Sequence, residues 1–416
     1  MSVGLINNIF YVIILTAALD LVGPSIPKAT VLLASIVPGL ATKIVTPYII
    51  HLVPYSARTL IFAALSTCGM LAVALSPDTT DARSISSKLV GIVLANISSG
   101  AGEVSWLSLT HYYGPFSLAA WGSGTGGAGL IGAGAYTLAT TIIGFSVHAT
   151  LLSSALLSLV LLASYFLLLP LEPLRAARRS HVEYAPVEVE PEDEVEDHTF
   201  NAPSSSTLLN TPPPRAISPA YSHRPHPPTV LSSLRTNLHR TAPLIIPYML
   251  PLFLVYLAEY TINQGVAPVL LFPLPSTPFR NYRAFYPTYS TLYQLGVFIS
   301  RSSLPFLRIR TLYTPTFLQI ANLLIFTIHA LYPFIPNVWF VFVLILWEGL
   351  LGGLVYVSTF AAIREEVPEQ DREFSLGATT VSDSGGIFVA GLLGAGLETV
   401  LCNWQVQHGR DWCRRL

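Results

Sequence analysis

Seven ionisable side chains in the long apolar stretches of this sequence, or at their ends, are of types that could do chemistry. The acids are Asp20, Glu103, Glu259, Glu348 and Asp383, and the bases are Lys43 and Arg301. An ionisable group in an apolar medium needs a partner or a cavity, and a carboxyl group there binds a proton more readily than in water. The acids are therefore candidates for substrate or proton binding, and the two bases for charge neutralisation or gating.

The composition of the chain indicates the solvent around these groups. Of its 416 residues, 52% are hydrophobic and 11% are charged, and the mean hydropathy is +0.56. Soluble domains carry about 25% charged residues, so this composition predicts a membrane protein. The net charge of −1 excludes a nucleic-acid-binding protein, because no basic face exists to neutralise phosphates. Three cysteines are too few for a disulfide framework.

Eleven stretches are long and apolar enough to cross a bilayer as helices, which requires about 20 residues each. They are 3–22, 30–53, 58–76, 88–110, 119–145, 149–170, 243–263, 284–304, 312–332, 336–359 and 374–400. The first has no basic segment before it, which favours a signal anchor over a cleaved signal peptide. The eighth stretch is rich in Tyr, so it has the weakest transmembrane signal of the eleven. The sequence therefore predicts an all-α polytopic protein with about eleven transmembrane helices.

The segment between the sixth and seventh spans, 171–242, differs from the rest of the chain. It begins with RAARR, continues with the acidic run EVEPEDEVED, and becomes rich in Ser, Pro and His. Such a segment buries too little apolar area to offset its ordering entropy, so we expect a disordered linker. It separates a six-helix N-terminal half, 1–170, from a five-helix C-terminal half with a short tail, 243–416. Cytosolic sorting or trafficking proteins are its expected partners.

Basic residues near span ends indicate the orientation in the membrane. Three arginines follow the sixth span and three follow the eighth: Arg175, Arg178 and Arg179, and Arg301, Arg308 and Arg310. Both sites face the same side if the spans alternate in direction. This predicts a cytosolic N-terminus and a cytosolic linker. An odd number of spans then places the C-terminus on the opposite side, although the basic residues at 410–415 argue against it.

The two halves share similar segments in the same order. Span five contains SGTGGAGLIGAG and span eleven contains SDSGGIFVAGLLGAG, while span four has GEVSWLSLT around Glu103 and span ten has WEGLLGGLVYVST around Glu348. Both pairs differ by six spans, which predicts two parallel halves with a twelfth helix missing or unrecognised. Small residues also recur in any polytopic protein because helices approach closely. The glycines of spans four and five are expected to let those two spans pack or flex around Glu103.

Four of the five acids fall on spans one, four, seven and ten: Asp20, Glu103, Glu259 and Glu348. In two halves made of three-helix repeats, these are the first helices of each repeat. In transporters of the major facilitator type, the equivalent helices line the central cavity. The sequence therefore predicts a major-facilitator-like, pseudo-symmetric six-plus-five arrangement with acids in its cavity. The alternative for each acid is structural: Asp20 and Asp383 cap or break helices, and Glu259 bonds a neighbouring Tyr or Asn.

Other motifs predict no further chemistry. Residues 124–129 match G-x-G-x-x-G, but a predicted membrane span precedes them instead of a strand, and no acid lies in 140–150. The close pair His223 and His226 lies in the linker, so no membrane histidine cluster is available for zinc or iron. Cys413 has the position of a prenylation site, but arginines replace the aliphatic residues that follow it. We predict no enzyme activity, no cofactor and no metal site.

Several long segments resemble the battenin family, the family of the protein affected in Batten disease. They are ISSGAGEVSWLSLT, WGSGTGGAGL, LLASYFLLL, VYLAEYTINQG, LYQLGVFISRSSL, LWEGLLGGLVYVSTF and DREFSLGATTVSDSGG. The resemblance runs from about Leu5 to about Leu401, apart from the linker. It implies a multi-pass protein of the vacuolar or lysosomal membrane with a facilitator-like fold. It also implies roles in vacuolar pH homeostasis, in basic amino-acid transport, or in clearance of glycerophosphodiesters.

The resemblance also assigns residues. Glu259, Arg301 and Asp383 match positions at which the family is sensitive, while Glu103 and Glu348 match its G-E-V and E-G-L-L-G-G segments. The chain departs from the family in lacking the polar N-terminal tail of animal members and in its very short first loop. Signals that the tail carries are therefore not transferred to this chain.

Two functions remain open at the level of sequence. The first is a vacuolar transporter that works by alternating access, with a small-molecule substrate and protons as its partners. The second is a non-transporting membrane scaffold that regulates vacuolar acidification or trafficking through its cytosolic linker.

Overall fold

The structure is a computed structural model that describes residues 1–17, 21, 28–50, 53–77, 81–114, 116–176 and 238–415. The predicted site residue Asp20 and most of the predicted linker, 177–237, lie outside the described residues.

The described residues form eleven helices of at least fifteen residues and no β-strand. The helices of the N-terminal half are α1 (Ser2–Thr16), α2 (Lys28–Ile49), α3 (Tyr55–Ala74), α4 (Ala82–Leu109), α5 (Phe116–Thr137) and α6 (Val147–Leu168). Those of the C-terminal half are α7 (Leu238–Val269), α8 (Phe285–Ser302), α9 (Tyr313–Leu331), α10 (Val338–Glu366) and α11 (Glu369–Gln407). Each of them corresponds to one of the eleven predicted spans.

Seven of these helices are long and apolar enough to cross a membrane by length and composition alone. The other four are α1, whose described part has 15 residues, and α4, α5 and α8. The sequences of α4 and α5 are rich in Ser and Gly, and that of α8 is rich in Tyr. Many of these small and polar residues are buried against other helices, so they contact protein more than lipid. The chain is an all-α polytopic membrane protein.

The observed helices extend beyond several of the predicted spans. α10 continues to Glu366 and α11 begins at Glu369, whereas the predicted spans were 336–359 and 374–400. The last residues of α10, 364–366, and the first of α11, 369–373, are polar and need no lipid contact, so hydropathy could not detect them. α7 begins at Leu238, inside the range 171–242 that was predicted for the linker.

The helix pairs of the two halves repeat with an offset of six. α1 packs on α5 as α7 packs on α11, and α2 packs on α4 as α8 packs on α10. The halves meet along two further pairs, α2 with α11 and α5 with α8. The same offset of six helices converts one of these pairs into the other. This is the pseudo-symmetric six-plus-five arrangement that the sequence predicted.

Glycines allow this close packing, although between different helices from those expected. On α5, Gly124 lies against the backbone of α1 at Met1 and Leu5, and Gly126 lies against Phe298 and Arg301 of α8. The α5 glycines therefore bring α5 close to α1 and α8, and the expected contact of α5 with α4 is a minor one.

The repeated glycines of α11 make the equivalent contacts in the other half. Gly386 lies against Phe253 and Tyr256 of α7, and Gly391 lies against Leu32 of α2. The same motif therefore packs against symmetry-related partners in each half.

Candidate functional site

A cavity of about 150 Å³ lies between the two halves. Its walls come from α1, α2, α4 and α5 of the N-terminal half and from α7, α8 and α11 of the C-terminal half. Four of the sequence-predicted site residues line it: Lys43, Glu103, Arg301 and Asp383. Two cations and two carboxylates, contributed by both halves, therefore line one cavity.

Lys43 joins carboxylates from opposite halves. Its Nζ lies 2.7 Å from Oε2 of Glu103 on α4 and 3.2 Å from Oδ1 of Asp383 on α11. All three residues are buried, so water screens these ion pairs weakly. Because α2 and α4 belong to one half and α11 to the other, this triad is an electrostatic connection between the halves.

Neutral donors complete the triad. The Tyr356 hydroxyl donates to Oε1 of Glu103 at 3.0 Å, and Nε1 of Trp121 donates to that hydroxyl at 3.0 Å. The backbone N–H of Ser384 donates to Oδ1 of Asp383 at 2.8 Å. Both carboxylates are therefore coordinated by donors suited to their ionised form.

Arg301 has a different environment, because hydroxyl groups take the place of carboxylates around it. Its Nη1 donates to Oγ1 of Thr125 at 2.8 Å and its Nη2 donates to the Tyr256 hydroxyl at 2.6 Å. Its Cζ lies 4.0 Å from the centre of the Tyr356 ring. The ion pairs found among the described residues do not include Arg301, and its buried Nε has no hydrogen-bond partner there. A guanidinium group has five N–H donors, so Arg301 retains donors for an anion.

Glu259 and Glu348 lie behind the cavity wall and do not line it. The Tyr293 hydroxyl, on a side chain that does line the cavity, donates to Oε1 of Glu259. Nδ2 of Asn263 donates to Oε1 of Glu348 at 3.1 Å. Close packing of α10 on α8, where Gly349 meets the backbone of Gly296, keeps Glu348 inside the C-terminal half. Because Glu348 is on span ten, the sequence predicted that it lines the central cavity. In the structure it is packed inside the C-terminal half and does not line the cavity.

At the end of the bundle where α6 ends and α7 begins, called the linker end below, contacts between the two halves close the bundle. The Tyr55 and Tyr112 hydroxyls donate to the two carboxylate oxygens of Glu373, at 2.6 and 2.5 Å. Burial, together with Glu373, raises the pKa of the Tyr112 phenol, which keeps it protonated as a donor. Arg364 of α10 donates to Oγ of Ser117 at 2.9 Å and to the backbone oxygen of Tyr113. From the charged triad, the cavity extends away from this sealed end.

Sequence reasoning missed the tyrosines that connect these groups. Tyr256, Tyr293 and Tyr356 each bond one of the predicted charged residues. Tyr11 also lines the cavity, and its buried hydroxyl has no partner among the described residues. The available signal was spacing: Tyr256 precedes Glu259 by three residues, which places both on one helix face.

Comparison with known proteins identifies the family. The family described as CLN3 protein matches residues 1–404, almost the whole chain. The chain belongs to the CLN3 protein family. Protein btn1 of Aspergillus fumigatus is 55% identical to it over 413 residues, which cover 99% of this chain and 89% of that protein. Protein btn-1 of Neurospora crassa is 56% identical over 421 residues, with the same coverage.

These matches confirm the battenin resemblance of the sequence. All seven predicted site residues lie within the part that matches the CLN3 family. Among solved structures, the chain is similar to FucP, the fucose:proton symporter of E. coli. The TM-score is 0.48 at 14% identity, over 97% of this chain and 98% of that one.

Proposed function

We propose that this CLN3-family chain is a transporter of the vacuolar or lysosomal membrane that works by alternating access. The observation that carries the proposal is the cavity between two pseudo-symmetric halves, lined by opposite charges from both. Transport by rocking requires a binding site at the interface of the two repeats, and the cavity has that position. Involvement in vacuolar transport and vacuole pH homeostasis follows if this transport uses the vacuolar proton gradient.

The charges of the cavity favour a substrate with an anionic group. Among the described residues that line the cavity, Arg301 is the cation without a carboxylate partner, and its buried Nε has no hydrogen-bond partner there. Lys43 is already neutralised by Glu103 and Asp383. A carboxylate or a phosphodiester fits the guanidinium group, and a cationic group on the same molecule fits the acidic side. Basic amino acids and zwitterionic glycerophosphodiesters both have this chemistry.

The proposed orientation places the N-terminus and the linker in the cytosol and the C-terminus in the lumen. Cys402 and Cys413 form a disulfide, and such bonds persist in oxidising compartments. Arg410 donates to the carbonyls of Ala330 and Leu331 at the end of α9. Arg410 therefore caps the C-terminal end of α9. Because its charge has this structural role, it is weak evidence that the tail is cytosolic.

Flux into proteoliposomes with an acidic interior tests the proposal. The probes are radiolabelled arginine and radiolabelled glycerophosphocholine, each measured separately. We expect one probe to enter faster than in protein-free liposomes, and the Arg301→Gln variant to lose that uptake. The Arg308→Gln variant is the matched control, because Arg308 bonds Glu365 at the surface, away from the cavity. Uptake of neither probe above the protein-free rate, or equal uptake by the wild type and Arg301→Gln, would overturn the proposal.

A further inference from the structure

A second group of buried carboxyls lies inside the C-terminal half, separate from the lysine triad. Glu259 on α7 and Glu348 on α10 are 1% and 0% exposed. Neither belongs to an ion pair among the described residues, and neither lines the cavity. Two carboxylates in these positions, both ionised, would be two negative charges in a medium of low dielectric, neither with an ion-pair partner in contact.

Contacts with shared neighbours place the two carboxyls close together. Nδ2 of Asn263 lies 3.1 Å from both the backbone oxygen of Glu259 and Oε1 of Glu348. Oε2 of Glu259 lies against Gly352, where a Cβ atom would collide with it. Gly352 follows Glu348 by one helical turn, so the carboxyl of Glu259 rests on the α10 face that carries Glu348.

Each carboxyl has one oxygen bound to a neutral donor and one buried oxygen without a partner. Oε2 of Glu259 and Oε2 of Glu348 have no hydrogen-bond donor among the described residues. An unpartnered carboxylate oxygen at this depth is costly, whereas protonation removes the charge and supplies a donor.

The other titratable groups near the pair do not supply a counter-charge in contact with it. On α7 and α8 they are Tyr256, Tyr260, Tyr293 and Arg301. On α11 the acid that lines the cavity is Asp383, bound to Lys43, and α9 carries Tyr313 and His329 near its ends. Arg301 directs its Nη atoms at hydroxyl groups. Tyr293 is the group that both bonds Glu259 and lines the cavity.

We propose that Glu259 and Glu348 form a proton-binding pair that exchanges its proton with the cavity through the Tyr293 hydroxyl. In the exchange, the hydroxyl gives its proton to the carboxylate of Glu259 and takes one from a hydronium ion in the cavity, which leaves water. One carboxyl of the pair is then neutral and the other is the single remaining charge. The inference rests on the proposed transport function, since it locates the site of the coupling ion. It separates that site from Glu103, which forms an ion pair with Lys43.

Infrared spectroscopy of the lipid-reconstituted wild-type protein tests the pair without any transport assay. We expect a C=O band of a buried protonated carboxyl at pH 7, well above the pKa of about 4.3 of a solvated Glu. The band should be lost in Glu259→Gln and in Glu348→Gln but kept in Glu103→Gln. In Tyr293→Phe the band should remain. Its frequency shift on transfer to deuterated water should be slower, because the hydroxyl that exchanges the proton is absent.

Three results would overturn the pair. The first is absence of the band from the wild type, which needs no variant to fold. The second is its persistence in both glutamine variants. The third is its loss when sodium chloride replaces choline chloride at the same pH, which would make the site a sodium site. Because the band is measured without substrate, its absence contradicts the pair alone, and failed uptake with the band present contradicts the transport function alone.

Discussion

Lys43 has the clearest individual role in the molecule, since one ammonium group holds two carboxylates from opposite halves. The sequence predicted that Lys43 would neutralise an acid, and an ammonium in an apolar span required that. It could not predict that two acids from different halves share it, because this depends on how α2 meets α11 in three dimensions. The hydroxyl partners were unpredictable for the same reason: the chain has 19 tyrosines, and only packing selects the few that meet a charge.

The Lys43→Met variant tests the triad. It leaves Glu103 and Asp383 buried without their cation, and breaking a buried ion pair by removing one partner costs about 3–5 kcal/mol. We expect a clear fall in the melting temperature of the detergent-purified protein. The triple variant Lys43→Met, Glu103→Gln, Asp383→Asn should recover part of that loss, because its residues are neutral. A Lys43→Met protein as stable as the wild type would contradict the triad.

Gly352 shows how a small residue accommodates a buried acid. Alanine there places its Cβ on the carboxyl of Glu259, so we expect overpacking of about 1–3 kcal/mol and a lower melting temperature. Gly396→Ala on α11 is the matched control, because its Cβ meets open space. In a Glu259→Ala background the Gly352→Ala change should cost little. A Gly352→Ala protein as stable as the Gly396→Ala control would show that α10 tolerates the extra atom.

At the scale of elements, the existence and order of all eleven helices were predictable because each span must satisfy its backbone internally. The helix ends were less predictable, since the polar residues that end α10 and begin α11 have no hydropathy signal. The contacts of α5 with α1 and α8 were hidden as well, because a glycine motif shows that helices approach closely and not which helices do.

Tyr55 of α3 and Tyr112, just after α4, donate hydrogen bonds to Glu373 of α11. These bonds favour the closed state of the linker end, so their removal should shift the equilibrium toward an open state. The double variant Tyr55→Phe, Tyr112→Phe removes both donors to Glu373, and a hydrogen bond to a charged group is worth about 1.5–3 kcal/mol. We expect the linker end to open more often. Spin labels on cysteines replacing the exposed Phe116 and Glu369, in a Cys68→Ser background, should show an added population at longer distance.

The exposed Tyr332 provides the control for that equilibrium, because Tyr332→Phe changes a hydroxyl far from the linker end. Its distance distribution should match the parent protein. Identical distributions in the double variant and in Tyr332→Phe would mean that Glu373 does not hold the halves together.

At the scale of the whole molecule, the disulfide and the eleven long helices of the described residues both support the proposed orientation, with the C-terminus in the lumen. An epitope tag added after Leu416 should resist protease in intact vacuoles, whereas a tag inserted in the linker at 205–206 should be digested. Detergent should expose both tags. Digestion of the C-terminal tag in intact vacuoles would place the C-terminus in the cytosol and contradict the proposed orientation.

Movement of the two halves past each other is the central claim, and a reversible crosslink tests it most directly. Oγ of Ser123 on α5 lies 3.0 Å from Oγ of Ser302 on α8, across the boundary between the halves. In the Ser123→Cys, Ser302→Cys variant with Cys68→Ser, oxidation should join the halves and abolish probe uptake by proteoliposomes. Mild reduction should restore uptake, and each single-cysteine variant should be unaffected. Equal uptake by the fully crosslinked and the reduced protein would contradict alternating access.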